Sequence, residues 1–162
     1  YLFKPCGDPD VVVIALRDPD DRRLPEVLMR QTWSKKRLNH LTEDIIGGAL
    51  AVHTQLGPGL LESVYETCLE AELRSRSLRV ERQVGFPIVY AGQVLDSDLR
   101  IDLVVEGVVV IEVKALTQVL PVHRTQLLTY IKLTDRPVGL LLNFNVRYLR
   151  HGIVRKVNGT LV

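Results

Sequence analysis

The 162-residue chain carries 46% hydrophobic and 25% charged residues and a formal net charge of +2, values of an ordinary globular protein with enough chain for one domain. It holds no apolar run near the ~20 residues that span a bilayer and no signal-peptide pattern. Its two cysteines, Cys6 and Cys68, make neither a disulfide framework nor a zinc spacing, so a cytoplasmic setting is expected, with Cys68 as a small core residue.

The first forty residues hold eight basic and six acidic side chains and the remainder thirteen of each. Nucleic-acid contact by the main body therefore has to come from local clustering, not from an overall field. "YLFKPCGDPD" and "LRDPDDRRLP" are rich in Asp-Pro turns, and only "VVVIAL" could form a strand, so this segment reads as a poorly ordered or loosely attached extension. "SKKRLNH" reads as a solvated basic linker. From Leu41 the pattern sharpens. Thr42 is placed as a helix N-cap, with Glu43 and Asp44 in the first turn and Leu41 and Ile46 as a hydrophobic staple. Ile45, Ile46, Ala49, Leu50 and His53 mark one helical face, and Gly57-Pro58-Gly59 ends it.

A second helix is expected from Leu60 to Ser75, its apolar face made by Leu61, Val64, Tyr65, Cys68 and Leu69. The period then changes to that of strands. "LRVERQVGFPIVY", "QVLDSDLRIDLVV" and "VVVIEVKAL" predict a three-stranded meander, turning at Ala91-Gly92 and Glu106-Gly107. A third helix spans Pro121 to Leu133, "PVGLLLNF" reads as a buried strand, and "RYLRHGIVRKV" as a more polar last one. The order ααβββαββ is an α/β fold with a mixed sheet, because strands on either side of a helix can pair in parallel.

Polar residues interrupt this apolar frame at a few positions. Glu112 and Lys114 lie on one face of a strand otherwise greasy enough to be buried. A polar face turned to water would explain them, since unpaired charges are costly to bury. The preceding strand carries Asp102. If the hairpin closed through Glu106 and Gly107 alone, 102 would pair with 111 and Glu112 would point away. A three-residue loop over 105–107, with Gly107 left-handed in a bulge, pairs 102 with 110 and puts Asp102, Glu112 and Lys114 on one face. Two carboxylates and an ammonium so placed could hold a hard divalent cation and orient a water. The alternative for Asp102 is an ion pair with Arg100 or another cation at a sheet edge. His123, Gln126 and Tyr130 share a face of the third helix, and Glu62 stands near the start of the second, where the dipole favours a carboxylate. No recognition helix and no aromatic-basic platform is legible.

"GLLESVY" at 59–65 resembles the motif of the GxxExxY family, a prokaryotic group assigned to the PD-(D/E)XK nuclease superfamily. "LNHLTEDIIGGALAVHTQLGPGLLESVYE" is similar to that family's opening and "LLNFNV" to its closing strand. The similarity runs from about Leu38 to Asn158, leaving residues 1–37 as an extension and 38–162 as the nuclease-like domain. It implies a restriction-endonuclease-like core and hydrolysis of nucleic-acid phosphodiesters with Mg²⁺ or Mn²⁺. By resemblance, the acidic position falls on Asp102 and the E-x-K on Glu112, Val113 and Lys114. The Q-x-x-x-Y of the RecB-like branch falls on Gln126 and Tyr130, and the helix glutamate on Glu62. Asp102 follows Ile101 instead of the proline of "PD". The implied roles are metal ligation by Asp102, Glu112 and the Val113 carbonyl, with Glu62 in the outer shell or on a second ion. Lys114 would position the attacking water, and Gln126 and Tyr130 would hold Lys114 or a phosphate. The expected partner is nucleic acid, DNA ahead of RNA, with no membrane. Competing expectations are a non-catalytic nucleic-acid or protein-binding module that keeps the fold, and a homo-oligomeric subunit.

Overall fold

The computed structural model describes residues 33–91, 93–95 and 99–159; of the extension expected over residues 1–37, residues 1–32 lie outside them. Helix α1 spans Lys35–Leu56 and starts seven residues before the expected cap. Ser34 is the N-cap, its side chain accepting from the Arg37 N–H. Thr42 is instead buried inside the helix, its hydroxyl donating to the Asn39 carbonyl. Leu38 and Leu41 extend the face of Ile45, Ala49 and Val52 backwards, and burying Leu38 draws "SKKRLNH" into the helix instead of leaving it as a linker. The helix ends as its sequence predicts. Gly57 takes φ +67° and donates to the His53 carbonyl.

Helix α2 (Glu62–Ser75) turns Tyr65, Glu66, Leu69 and Leu73 inward. Leu61 and Val64, expected in the core, are exposed, Leu61 by 74%. Leu61 is the N-cap, with extended backbone, so its side chain does not continue the helical stripe. Cys68 is partly buried against the core, in line with its spacing.

The expected meander is more divided than its sequence runs suggest. β1 (Val80–Gly85), β4 (Arg100–Val105) and β5 (Val109–Lys114) join the main sheet, whereas β2 (Ile88–Tyr90) and β3 (Gln93–Leu95) form a separate hairpin. The first run breaks after Phe86 at Pro87, which has no N–H to give a ladder. Helix α3 (Pro121–Leu133) then crosses to β6 (Val138–Asn143), and a short 3-10 helix, Leu149–His151, precedes β7 (Ile153–Val157). The sheet order is β1-β4-β5-β6-β7, with β5 and β6 parallel and the other neighbours antiparallel. This mixed five-stranded sheet with flanking helices is the α/β, restriction-endonuclease-like architecture the sequence predicts. α1 and α2 cover one face through Leu38, Tyr65, Leu73, Ile111 and Leu140, and α3 covers the other through Leu127, Tyr130, Ile131, Val110 and Leu141. Among the described residues no helix is long and apolar enough to cross a membrane.

The β4–β5 register decides where the polar residues go. Leu103 pairs with Ile111, Val104 with Val110 and Val105 with Val109. The loop is therefore 106–108, not 105–107, with Glu106 at φ +52° and Gly107 at φ +66°, and the Val108 N–H donates to the Val105 carbonyl. One step further sets Asp102 opposite Glu112, two residues from the expected partner Val110. Because strand faces repeat every two residues, that shift by itself would leave the face unchanged, but β4 breaks its alternation between Ile101 and Leu103, at Asp102 itself.

A second tight approach joins β6 to the start of β7. The Asn143 N–H donates to the Gly152 carbonyl at 2.9 Å, and a Cβ on Gly152 would run into the Asn143 carbonyl oxygen. Gly152→Ala is expected to cost about 1–3 kcal/mol, as overpacking does, and to lower the melting temperature by several degrees in a thermal unfolding scan.

Candidate active site

β5 is buried along nearly its whole length because α1–α2 and α3 cover its two faces and β4 and β6 flank it. Glu112 is caught in that burial, with 2% of its surface exposed. Its charges do not meet water. Oε2 lies 3.4 Å from Lys114 Nζ, while Oε1 has no hydrogen-bond partner. Across the ladder, Asp102 Oδ2 accepts from the Val113 N–H at 2.8 Å, which fixes its carboxylate against β5. Arg100 makes no ion pair with Asp102 among the described residues.

Asp102 occupies a break in the strand. Leu103 and Val105 face α1–α2, yet Ile101 packs on the α3 side, so the alternation fails between 101 and 103. The facing position in β1 is Gln83, whose φ is +51°, and the β1–β4 ladder skips it. The distortion turns Asp102 towards a cleft of about 570 Å³, lined also by Leu60, Leu61, Glu62, Glu66 and Gln83. Glu112 itself does not reach the cleft wall.

Glu62 is held at this cleft by the motif around it. Tyr65 is fully buried, stacks on Phe144 with ring centroids 4.5 Å apart, and donates its hydroxyl to the Gly57 carbonyl at 2.6 Å. The same oxygen accepts from the Leu60 N–H at 3.1 Å. That clasp closes the loop through Gly59, whose φ of +102° suits glycine. Glu62 then opens α2 and accepts the Ala115 N–H at 2.9 Å, bracing β5 immediately after Lys114.

Electrostatics bind these groups together. Burial, and then the Asp102 charge, push the Glu112 carboxyl up to about 8. Burial likewise raises Asp102, opposed by the Val113 N–H and Lys114. Burial works against charge on Lys114, but Glu112, Asp102 and Glu62 outweigh it and hold the ammonium above its ordinary range. Two neighbouring carboxylates on adjacent strands cannot both ionise cheaply; a cation held by both would remove that conflict. The partnerless Glu112 Oε1 and this hard oxygen pair fit a divalent ion such as Mg²⁺ or Mn²⁺. Among the described residues no three His, Cys, Asp or Glu side chains form a metal-binding group, so the protein would provide two carboxylates and leave the other positions to carbonyl oxygen and water.

Gln126 and Tyr130 are joined to each other, the Gln126 amide donating to the Tyr130 hydroxyl at 2.8 Å, and neither bonds Lys114. Tyr130 is buried edge-on against Phe86. His123 caps the start of α3, its Nδ1 accepting the Leu120 N–H, and plays no part in the cluster. Two further polar residues are buried around the site. Glu66 is buried and accepts from Arg82 Nε at 2.6 Å and Gln83 Nε2 at 2.8 Å, pinning the distorted β1. Asn143 is buried beside Lys114 in the β5–β6 register, and its amide bonds both the N–H and the carbonyl of Leu116. The polar ending of the apolar run "GLLLN" was the available signal for Asn143.

The raised Glu112 gives a pH signature. Between an ordinary 4.5 and about 8 the folded cation-free protein holds a proton that the unfolded chain has released. Stability therefore falls as pH rises through that window and levels above it, by an amount on the order of a few kcal/mol. Glu112→Gln is expected to raise the melting temperature of the cation-free protein at pH 8 and to flatten its slope from pH 5 to 8, measured by calorimetry.

A model of the PD-(D/E)XK nuclease superfamily matches residues 39–156. No curated protein and no solved structure gives a significant match to the chain. The matched span runs from α1 into β7 and contains Glu62, Asp102, Glu112 and Lys114. The chain belongs to the PD-(D/E)XK nuclease superfamily.

Proposed function

We propose that the chain is a divalent-metal-dependent nuclease of the GxxExxY type, in the RecB-like branch, hydrolysing phosphodiester bonds of nucleic acid, DNA ahead of RNA. The observation that carries this is the buried, partnerless Glu112 oxygen on the strand facing Asp102, beside a charged Lys114. Nucleases of this superfamily typically use divalent metal ions. Asp102 and Glu112 would hold Mg²⁺ or Mn²⁺, with the Val113 carbonyl as a further ligand. Bound there, the ion supplies Lewis-acid polarisation of the phosphodiester.

The chain's own groups do the rest. Lys114, kept protonated by three carboxylates, donates a hydrogen bond to the attacking water and offsets charge on the pentacovalent phosphorus. Glu62 acts through the backbone, fixing Ala115 and hence the end of the strand that carries Lys114. Its oxygen is engaged there, which favours the bracing role over a second ion. Gln126, half-buried on α3 and oriented by Tyr130, takes a phosphate oxygen in place of the expected bond to Lys114.

The test is cleavage of labelled single- and double-stranded DNA and RNA with Mg²⁺ or Mn²⁺ by the full chain. Lys114→Ala is expected to slow cleavage on the order of 10²–10³-fold, and Asp102→Ala to abolish it. A normal rate in the Lys114 variant would remove that residue from the chemistry. Wild-type protein that cleaves none of the four substrates would leave the non-catalytic binding module as the better account.

A further inference from the structure

The loop between β6 and β7 is tied to the candidate site at its base. The Phe144 N–H donates to the Lys114 carbonyl at 2.7 Å, and His53 Nε2 bonds the Val146 carbonyl at 2.9 Å. Beyond these anchors the loop presents Arg147, Tyr148, Arg150 and His151, while Leu149 is buried beneath them. Tyr148 is 48% exposed. The Arg147 and Arg150 guanidinium carbons lie 5.3 and 5.2 Å from its ring centroid, and His151 stands edge-on at 6.0 Å.

What sets this cluster apart is the half-exposed ring that two arginines and a histidine share. Arg74, Arg76, Arg79 and Arg82 are paired with glutamates. Arg147 and Arg150 have no carboxylate partner among the described residues; Arg150 Nε reaches only His151 Nε2, at 3.3 Å. Two uncompensated guanidiniums beside a half-exposed aromatic ring match a ligand that is both polyanionic and planar. A duplex offers phosphates but keeps its bases stacked, so the ring would find no partner there.

We propose that Arg147, Tyr148, Arg150 and His151 form a binding platform for a single-stranded stretch of nucleic acid, with a base stacked on Tyr148 and phosphates on the two arginines. This rests on the nuclease reading and deepens it, because the platform rises from the chain segment bonded to Lys114. The platform was invisible in sequence because the basic residues are few and only the turn into the 3-10 helix gathers them about the ring.

Binding is measured by fluorescence anisotropy on the full chain without divalent ions, using single-stranded DNA, single-stranded RNA and duplex DNA of equal length, and cleavage is measured separately. Tyr148→Ala is expected to weaken single-strand binding on the order of tenfold, whereas Tyr148→Phe keeps it. Arg147→Ala and Arg150→Ala are each expected to lower the slope of log affinity against log salt by about 0.7. Circular dichroism checks that these surface variants fold. The DNA and RNA arms distinguish the two sources of the same chemistry. Tighter binding of duplex than of single strands, unchanged affinity in Tyr148→Ala, or equal competition by polyglutamate would overturn the platform while leaving the nuclease reading intact. Wild-type protein that neither binds nor cleaves any of these substrates would overturn both.

Discussion

One carboxyl group, Glu112, sets the terms for the rest of the molecule. A strand buried between two helical layers would be most stable if wholly apolar, and an ionised carboxylate inside it costs several kcal/mol unless fully compensated. Lys114 compensates one oxygen only in part, and the other has no partner. Asp102 on the neighbouring strand makes the conflict worse by adding a like charge. In a protein selected for stability alone, such a cluster would be replaced by packing residues. Its presence in a strand covered on both faces is the physical basis for reading the site as a cation cradle.

The surrounding structure keeps that cluster rigid from both ends. On the α1–α2 side, the Tyr65 clasp closes the Gly57–Leu60 loop and aims Glu62 at the Ala115 backbone. On the β6 side, Asn143 holds Leu116 by two hydrogen bonds, and Phe144 both stacks on Tyr65 and donates to the Lys114 carbonyl. The C-terminal end of β5 is therefore pinned by three separate elements. Small errors in position are costly at a reacting centre, so a strand end fixed in this way is what a catalytic lysine requires. The G-x-x-E-x-x-Y spacing thus has a mechanical meaning, since its tyrosine seats the loop and its glutamate braces the strand.

Much of this was legible in the sequence, and the failures have identifiable causes. Helix α3 has its expected bounds because Pro121 marks its first turn and Leu127 and Ile131 mark its face. Helix α1 was expected too short because Thr42 is a good capping residue locally, and only the burial of Leu38 shows the helix continuing back to Ser34. Leu61 follows the apolar period of α2 but lies one residue outside it, where that period has no force. The β4–β5 pairing was displaced by two residues, which by parity alone would keep Asp102 and Glu112 on one face, but the break between Ile101 and Leu103 turns Asp102 to the cleft beside α2 while Glu112 keeps the parity of Val110. The burial of Glu66 depends on Arg82 and Gln83 arriving from another element, which no local pattern encodes. The same limit hid the break in β4 that turns Asp102 to the cleft, since it arises jointly with the left-handed backbone at Gln83.

The account stands on Asp102 and Glu112 sharing one cation. Titration of Mn²⁺ into the full chain, followed by electron paramagnetic resonance, tests this without any substrate. One ion bound per chain in the wild type, with binding lost in both Asp102→Asn and Glu112→Gln but kept in Tyr148→Ala, is the predicted result. Undiminished Mn²⁺ binding in either carboxamide variant would contradict it.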